Sequence, residues 1–259
     1  MIPSKTRGFI RRIGYAFGSL RMLSLFYAFL IPLFLYIRFH LALKSAVFYH
    51  LPFSTADAFV AVSDPSFFAL ILVPMTLFFV CLLIRHDFAL TAILRGRHKA
   101  RIFLRQVLTI ALYLLAFILY TGVWTGVFAR FYCTGGVNWD QLASLYFLST
   151  KQTTLQPLWR ILLAFFISSF LSLLAANALL LLLRWTTDRY ILSWILLLTV
   201  CVVDSKTEKG LFFFPSGVWY DNWASPWPIE RVFLLPLVCL AAILILGVWY
   251  AKRKDFLHG

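Results

Sequence analysis

LWRILLAFFISSFLSLLAANALLLLL, residues 158–183, decides the fold. Of these residues only Arg160 is charged, and it stands at the start of the run. About 20 mainly apolar residues match the roughly 30 Å hydrocarbon core of a bilayer when they are helical. With no water there to take backbone hydrogen bonds, a single segment satisfies its own amides by forming a helix. The run therefore reads as a spanning helix, and the rest of the chain is read against it.

Five further runs resemble it, at Met22–Ile37, Ser66–Ile84, Val107–Phe128, Tyr190–Val203 and Val232–Tyr250. The one at 190–203 is short, and the first continues into Arg38, His40 and Lys44, which leaves its far end open. The composition of the whole chain agrees. Of 259 residues, 62% are hydrophobic and 13% charged, and the mean hydropathy is +0.86. Soluble domains average about 45–50% apolar and about 25% charged, so a water-soluble globule is excluded. Disorder is excluded as well, because 27 Phe, 11 Tyr and 9 Trp carry too much apolar surface to stay solvated. The expected fold is an all-α integral membrane protein with about six transmembrane helices.

The net charge of +14 would suit a phosphate binder, but its placement points to topology instead. Segments 1–21, 85–105, 184–189 and 252–259 hold 16 Lys+Arg and 3 Asp+Glu, whereas 38–65, 130–160 and 204–231 hold 8 and 7. Positive charge accumulates on the cytoplasmic side, so both termini are expected in the cytoplasm and no nucleic acid is expected as a partner. Trp124, Tyr132, Trp159, Trp185, Tyr190, Trp249 and Tyr250 fall near span ends, where amphipathic rings prefer to lie. No small-x-small cleavage site follows the first apolar run, which therefore reads as an uncleaved span rather than a signal peptide.

Three connecting stretches carry further information. Residues 1–21 place Phe9, Ile13, Phe17 and Leu20 at helical spacing among Arg7, Arg11, Arg12 and Arg21, the pattern of an amphipathic interfacial helix on the inner leaflet. In the loop 85–105, Phe88, Ala92 and Leu94 line a short helix that Gly96 ends, and Arg95, Arg97, His98, Lys99, Arg101 and Arg105 form a cationic knuckle. Such charge anchors a span to lipid phosphates, and the short helix suggests docking to a cytoplasmic partner. Segment 204–231 holds Phe212, Phe213, Phe214, Trp219, Tyr220, Trp223 and Trp227 with three prolines, which suggests a membrane-dipping outer segment. Segment 138–156, with Trp139, Leu142, Leu145, Tyr146 and Leu148, reads as a second interfacial helix.

Catalytic chemistry has no candidates. All ten acidic residues, Asp57 among them, lie in connections or at span ends, which leaves no intramembrane carboxylate relay or acid pair. The five histidines never stand at HxxxH or HExxH spacing, and the four cysteines form no CxxC, so no metal site or disulfide is expected. The chain has no GxxxxGK[ST] loop and would need a separate ATPase if ATP drives it. The small residues Ala164, Ser168, Ser172 and Ala176, and the Gly122/Gly126 pair, suit close helix packing. Thr121, Thr125, Ser169 and Asn177 are the polar groups available to line a pathway, Asn177 above all because an amide in hydrocarbon needs a partner.

This arrangement resembles the ABC-2 type permeases, the membrane subunits of one class of ATP-driven exporters. The resemblance is architectural along the chain. Within it, LRGRHKARIFLRQ at 94–106 and AKRKDF at 251–256 are similar to the basic entry to the third span and the lysine-rich tail of many members. The long connection at 130–157 and the short fifth span depart from the pattern. The resemblance implies a single permease domain over 1–259 in the plasma membrane of a bacterial cell. A cytoplasmic ATP-binding subunit would hold ATP and Mg, and a second permease subunit, identical or paralogous, would complete the pathway. Asp87, Arg95, Gly96, Arg97, His98, Lys99 and Arg101 would then form the ATPase-coupling surface, with no catalytic residue and no cofactor in this chain. The alternative is a non-transporting assembly, immunity or partner-binding membrane protein. The substrate is not legible.

Overall fold

The computed structural model describes residues 21–84, 99–187, 190–206, 218–224 and 230–253. All regular structure among them is helical: α1 Arg21–Phe48, α2 Thr55–Val62, α3 Pro65–Ile84, α4 Lys99–Tyr132, α5 Leu145–Thr150, α6 Leu158–Thr187, α7 Tyr190–Lys206, α8 Tyr220–Ala224 and α9 Glu230–Arg253. Five of these, α1, α3, α4, α6 and α9, are long and apolar enough to cross a membrane, and α7 is a shorter apolar helix. The chain thus has the build of a multi-pass membrane protein. The amphipathic helix expected over 1–21 and most of the 85–105 loop lie outside the described residues.

Two helices run two turns or more past the ends that hydropathy alone marks. α4 begins at Lys99 rather than Val107, so Lys99, Arg101 and Arg105 form its first turns and do not belong to a loop. Long cationic side chains lay their aliphatic stems along a helix while their heads reach water, so charge need not end a helix at the membrane boundary. α1 likewise continues through Arg38, His40 and Lys44 to Phe48. There the Arg38 guanidinium turns back onto the protein: Nη2 pairs with Asp64 Oδ2 at 3.0 Å and Nε donates to Ala61 O at 2.8 Å.

α6 is the axis of the bundle and packs against α9, α4, α7, α3 and α2. Of its apolar stretch 61% is buried inside the protein, against 22% for α1 and α9, which face outward. Ala164, Ser168, Ser172 and Ala176 are all buried, as small residues at a close helix contact should be. On α4 the two glycines part company: a Cβ on Gly122 would stand 2.5 Å from the Phe166 ring of α6, whereas one on Gly126 would meet nothing within 4 Å. Gly247 of α9 performs the same service for Phe103 of α4, whose ring sits over the bare backbone.

α3 contains a π-helical turn over Phe68–Leu72, where Val73 N–H donates to Phe68 O. Pro74 explains it, because a proline supplies no N–H and its ring crowds the carbonyl four residues back, at Leu70, which widens the turn before it.

Candidate functional site

Three connections meet at one end of the bundle. Backbone bonds join Thr55 N to Gly135 O at 3.1 Å, Ala56 N to Gly136 O at 3.0 Å and Thr134 N to Phe53 O at 2.9 Å, and Asn138 Nδ2 donates to Pro52 O at 3.0 Å. These bonds lock residues 52–56 to 134–138 in a compact cap. Gly135 has φ +91, a backbone region that glycine adopts without a Cβ clash.

Asp57 lies at the centre of the cap. Ser54 precedes α2 as a capping box, its hydroxyl accepting from Asp57 N while Ser54 N donates to Asp57 Oδ2 at 2.9 Å, a motif that satisfies first-turn amides reciprocally. Ser54 Oγ donates to the same oxygen at 2.7 Å. Oδ1 accepts from Trp139 Nε1 at 2.9 Å and from the Tyr220 hydroxyl at 2.8 Å. The carboxylate is 1% exposed, and its four donors come from all three connections. Burial nevertheless pushes its pKa above the ordinary 3.8, outweighing the hydrogen bonds that pull it down. Burial and the Asp57 charge together hold the Tyr220 hydroxyl well above 10. Burial also pushes the Cys133 thiol up to about 12.

Aromatic rings enclose the node. Trp139 stacks on Tyr146 at 5.0 Å and meets Tyr220 and Trp223 edge-on at 5.8 Å each. Such pairs add to what their buried area contributes. The Arg160 guanidinium lies 5.8 Å from the centre of the Trp223 ring. Trp139 is therefore fully buried in the cap, not interfacial, and the helix expected over 138–156 is confined to Leu145–Thr150. Of the 204–231 segment, Tyr220 and Trp223 pack into this cap, while 207–217 and 225–229 lie outside the described residues.

The remaining candidates fall into two groups. Thr121, Thr125, Ser169 and Asn177 are all buried within the bundle. Thr121 and Thr125 return their hydroxyls to Phe117 O and Thr121 O, one turn back on α4. Asn177 Nδ2 donates to Leu173 O at 2.9 Å and to Thr76 Oγ1 of α3 at 3.1 Å. Of the coupling residues, Lys99 and Arg101 stand on the first turns of α4, and Asp87, Arg95, Gly96, Arg97 and His98 lie outside the described residues.

That end of α4 is the one opposite the cap. Trp185 Nε1 donates to Gln106 Oε1 at 2.9 Å, which ties the end of α6 to the start of α4, and Gly247 on Phe103 brings the end of α9 there too. Lys99, Arg101, Arg105, Arg184, Lys252 and Arg253 thus share one end, where no acid stands among the described residues, whereas at the capped end Asp57, Asp64, Asp140 and Asp221 are mixed with Arg38, Lys44, Arg130, Lys151 and Arg160.

Sequence reasoning placed Asp57 in a connection but missed its role. Ser54-Thr-Ala-Asp57 is visible as a capping box, yet Trp139 and Tyr220 lie 82 and 163 residues away and no local pattern joins them. Among the described residues no cluster of metal-ligating side chains occurs, and none of the four cysteines is in a disulfide.

Fold and site define a polytopic, all-helical membrane protein with a cap closed around a buried carboxylate. Comparison with known protein families, with curated proteins and with solved structures found no match.

Proposed function

We propose that the chain is the membrane-spanning subunit of an ATP-driven exporter of the ABC-2 permease kind, with six crossings and both termini in the cytoplasm. The observation that carries this reading is the chemical division of the bundle into a locked cap, where acids and cations are mixed, and an opposite end whose described charges are all cationic. Positive charge marks the cytoplasmic side. The 85–105 segment therefore faces the cytoplasm, where a motor subunit acts, and the cap closes the outer side.

The short α7 is the fifth crossing. It starts beside Thr187, whose hydroxyl lies 2.9 Å from that of Ser193. It then touches α3 at Val73–Ile84, at Phe68–Leu72 and at Pro65–Phe67, following that helix to the capped end. Its 17 residues extend about 25 Å at 1.5 Å each, and flanking side chains make up the difference from the hydrocarbon thickness.

In this reading Asp87, Arg95, Gly96, Arg97 and His98, with Lys99 and Arg101 at the entry to α4, dock a separate cytoplasmic ATPase that holds ATP and Mg. A second permease subunit, identical or paralogous, completes the pathway, and this chain transmits motion without catalysing a reaction. The test is a mild-detergent pull-down on the tagged chain from its native membrane. A stoichiometric P-loop ATPase in the eluate supports the reading, and a stable, functional preparation without one contradicts it.

One observation favours a second reading, a non-transporting assembly, immunity or partner-binding protein. The cap is fastened by backbone bonds between connections, which suits a fixed recognition surface as well as an outer closure. Deleting the 85–98 segment distinguishes the two, since a partner-binding protein tolerates the deletion and a permease loses its motor contact.

A further inference from the structure

We infer that Asn177 and Thr76 form an intramembrane binding site for a neutral hydrogen-bond donor, an O–H or N–H group carried by water or by a molecule crossing the bundle. Both side chains are fully buried, Thr76 near the middle of α3 and Asn177 about two-thirds of the way along α6. Each donor of the pair is used: Asn177 Nδ2 bonds Leu173 O and Thr76 Oγ1, and the Thr76 hydroxyl donates to Val73 O at 2.9 Å. Asn177 Oδ1 accepts nothing among the described residues.

The amide orientation is fixed by chemistry. Turned over, the amide would set Oδ1 against the Leu173 carbonyl, acceptor facing acceptor. The unbonded atom is therefore an acceptor, buried among apolar helices where an unpaired carbonyl is costly and a donor is correspondingly favoured. Both side chains are uncharged, so nothing here compensates the desolvation of an ion, and the ligand is neutral.

Two features make the location suitable. Ala164, Ser168, Ser172 and Ala176 keep one stripe of α6 narrow. The π-helical turn and Pro74 stand within one turn of Thr76, and π turns interrupt the backbone ladder that otherwise keeps a helix rigid. The inference rests on the permease reading only for a crossing molecule as the source of the donor; water would occupy the site in either reading.

Infrared spectroscopy of the full chain in lipid nanodiscs, with ¹³C in the asparagine side-chain carbonyls, tests it without any transport assay. The chain has three asparagines. The Asn177 band is assigned by difference against N177L or, if that variant does not fold, in N138Q/N222Q, which leaves Asn177 alone labelled. A carbonyl bonded in the hydrated film and free in the dried film identifies water as the donor. One that is free in the hydrated film and shifts to lower frequency with 1-octanol, but not with octane, identifies a hydroxyl-bearing solute. A carbonyl that stays free throughout, or stays bonded after drying, overturns the inference.

Discussion

Asp57 joins three distant segments through one carboxylate, and its substitution should be felt in all of them. In D57N the amide nitrogen faces the Ser54 N–H, donor against donor, leaving a buried group unpaired at a cost of about 1–3 kcal/mol. Y220F removes a hydroxyl that donates to the buried Asp57 carboxyl, with an expected loss of about 0.5–1.5 kcal/mol, and frees α8 from the cap. Both should appear as a lowered thermal midpoint by tryptophan fluorescence, since Trp139 stacks within the node. An unchanged midpoint would mean that the node contributes no stability. The pH dependence has a definite sign. The folded pKa lies above the ordinary 3.8, so the folded state binds the proton more tightly than the unfolded chain. The contribution is complete below 3.8 and is lost as pH rises through the folded value. The wild-type midpoint should thus fall with rising pH across that interval relative to D57N, and parallel curves would contradict the assigned shift.

At the scale of elements, packing rests on where side chains are absent. G122V drives a branched side chain into the Phe166 ring, and G247V does the same to Phe103, which is fully buried and edge-on to Trp185. Overpacking of this kind costs about 1–3 kcal/mol. G126A meets open space and should stay within about 0.5 kcal/mol of wild type. Equal effects from all three, measured by thermal unfolding in detergent, would sink the assignment of α4 to these contacts. The glycine pair looked like one motif in the sequence, and only the structure shows that half of it bears on a neighbour. The spans themselves were legible because hydropathy is a local property of a run. Their ends were not: α4 reaches back to Lys99, and α1 runs on past Arg38, whose guanidinium pairs with Asp64, the residue that caps α3. The cap was illegible for the same reason, since its bonds link residues from connections that share only a side.

At the scale of the molecule, the two ends should differ in access. Single cysteines at Gln152, exposed beside the cap, and at Lys252, exposed at the cationic end, report this in a background lacking the four native thiols. In intact cells a membrane-impermeant maleimide should label position 152 and spare 252, and the reverse pattern would invert the topology. The even number of crossings in the proposed topology depends on α7, an apolar helix shorter than the five long ones. It follows α3 to the capped end, which is why its length alone does not decide whether it crosses.

The proposed permease works only if it is coupled to a motor subunit, and ATP hydrolysis reads that coupling. The complex recovered on the tagged chain should hydrolyse ATP, and charge reversal at Arg95 and Arg97 should depress that activity several-fold while membrane insertion and the thermal midpoint stay as in wild type. Full ATPase activity in the R95E/R97E preparation, or no ATPase bound to the wild-type chain, would contradict the account.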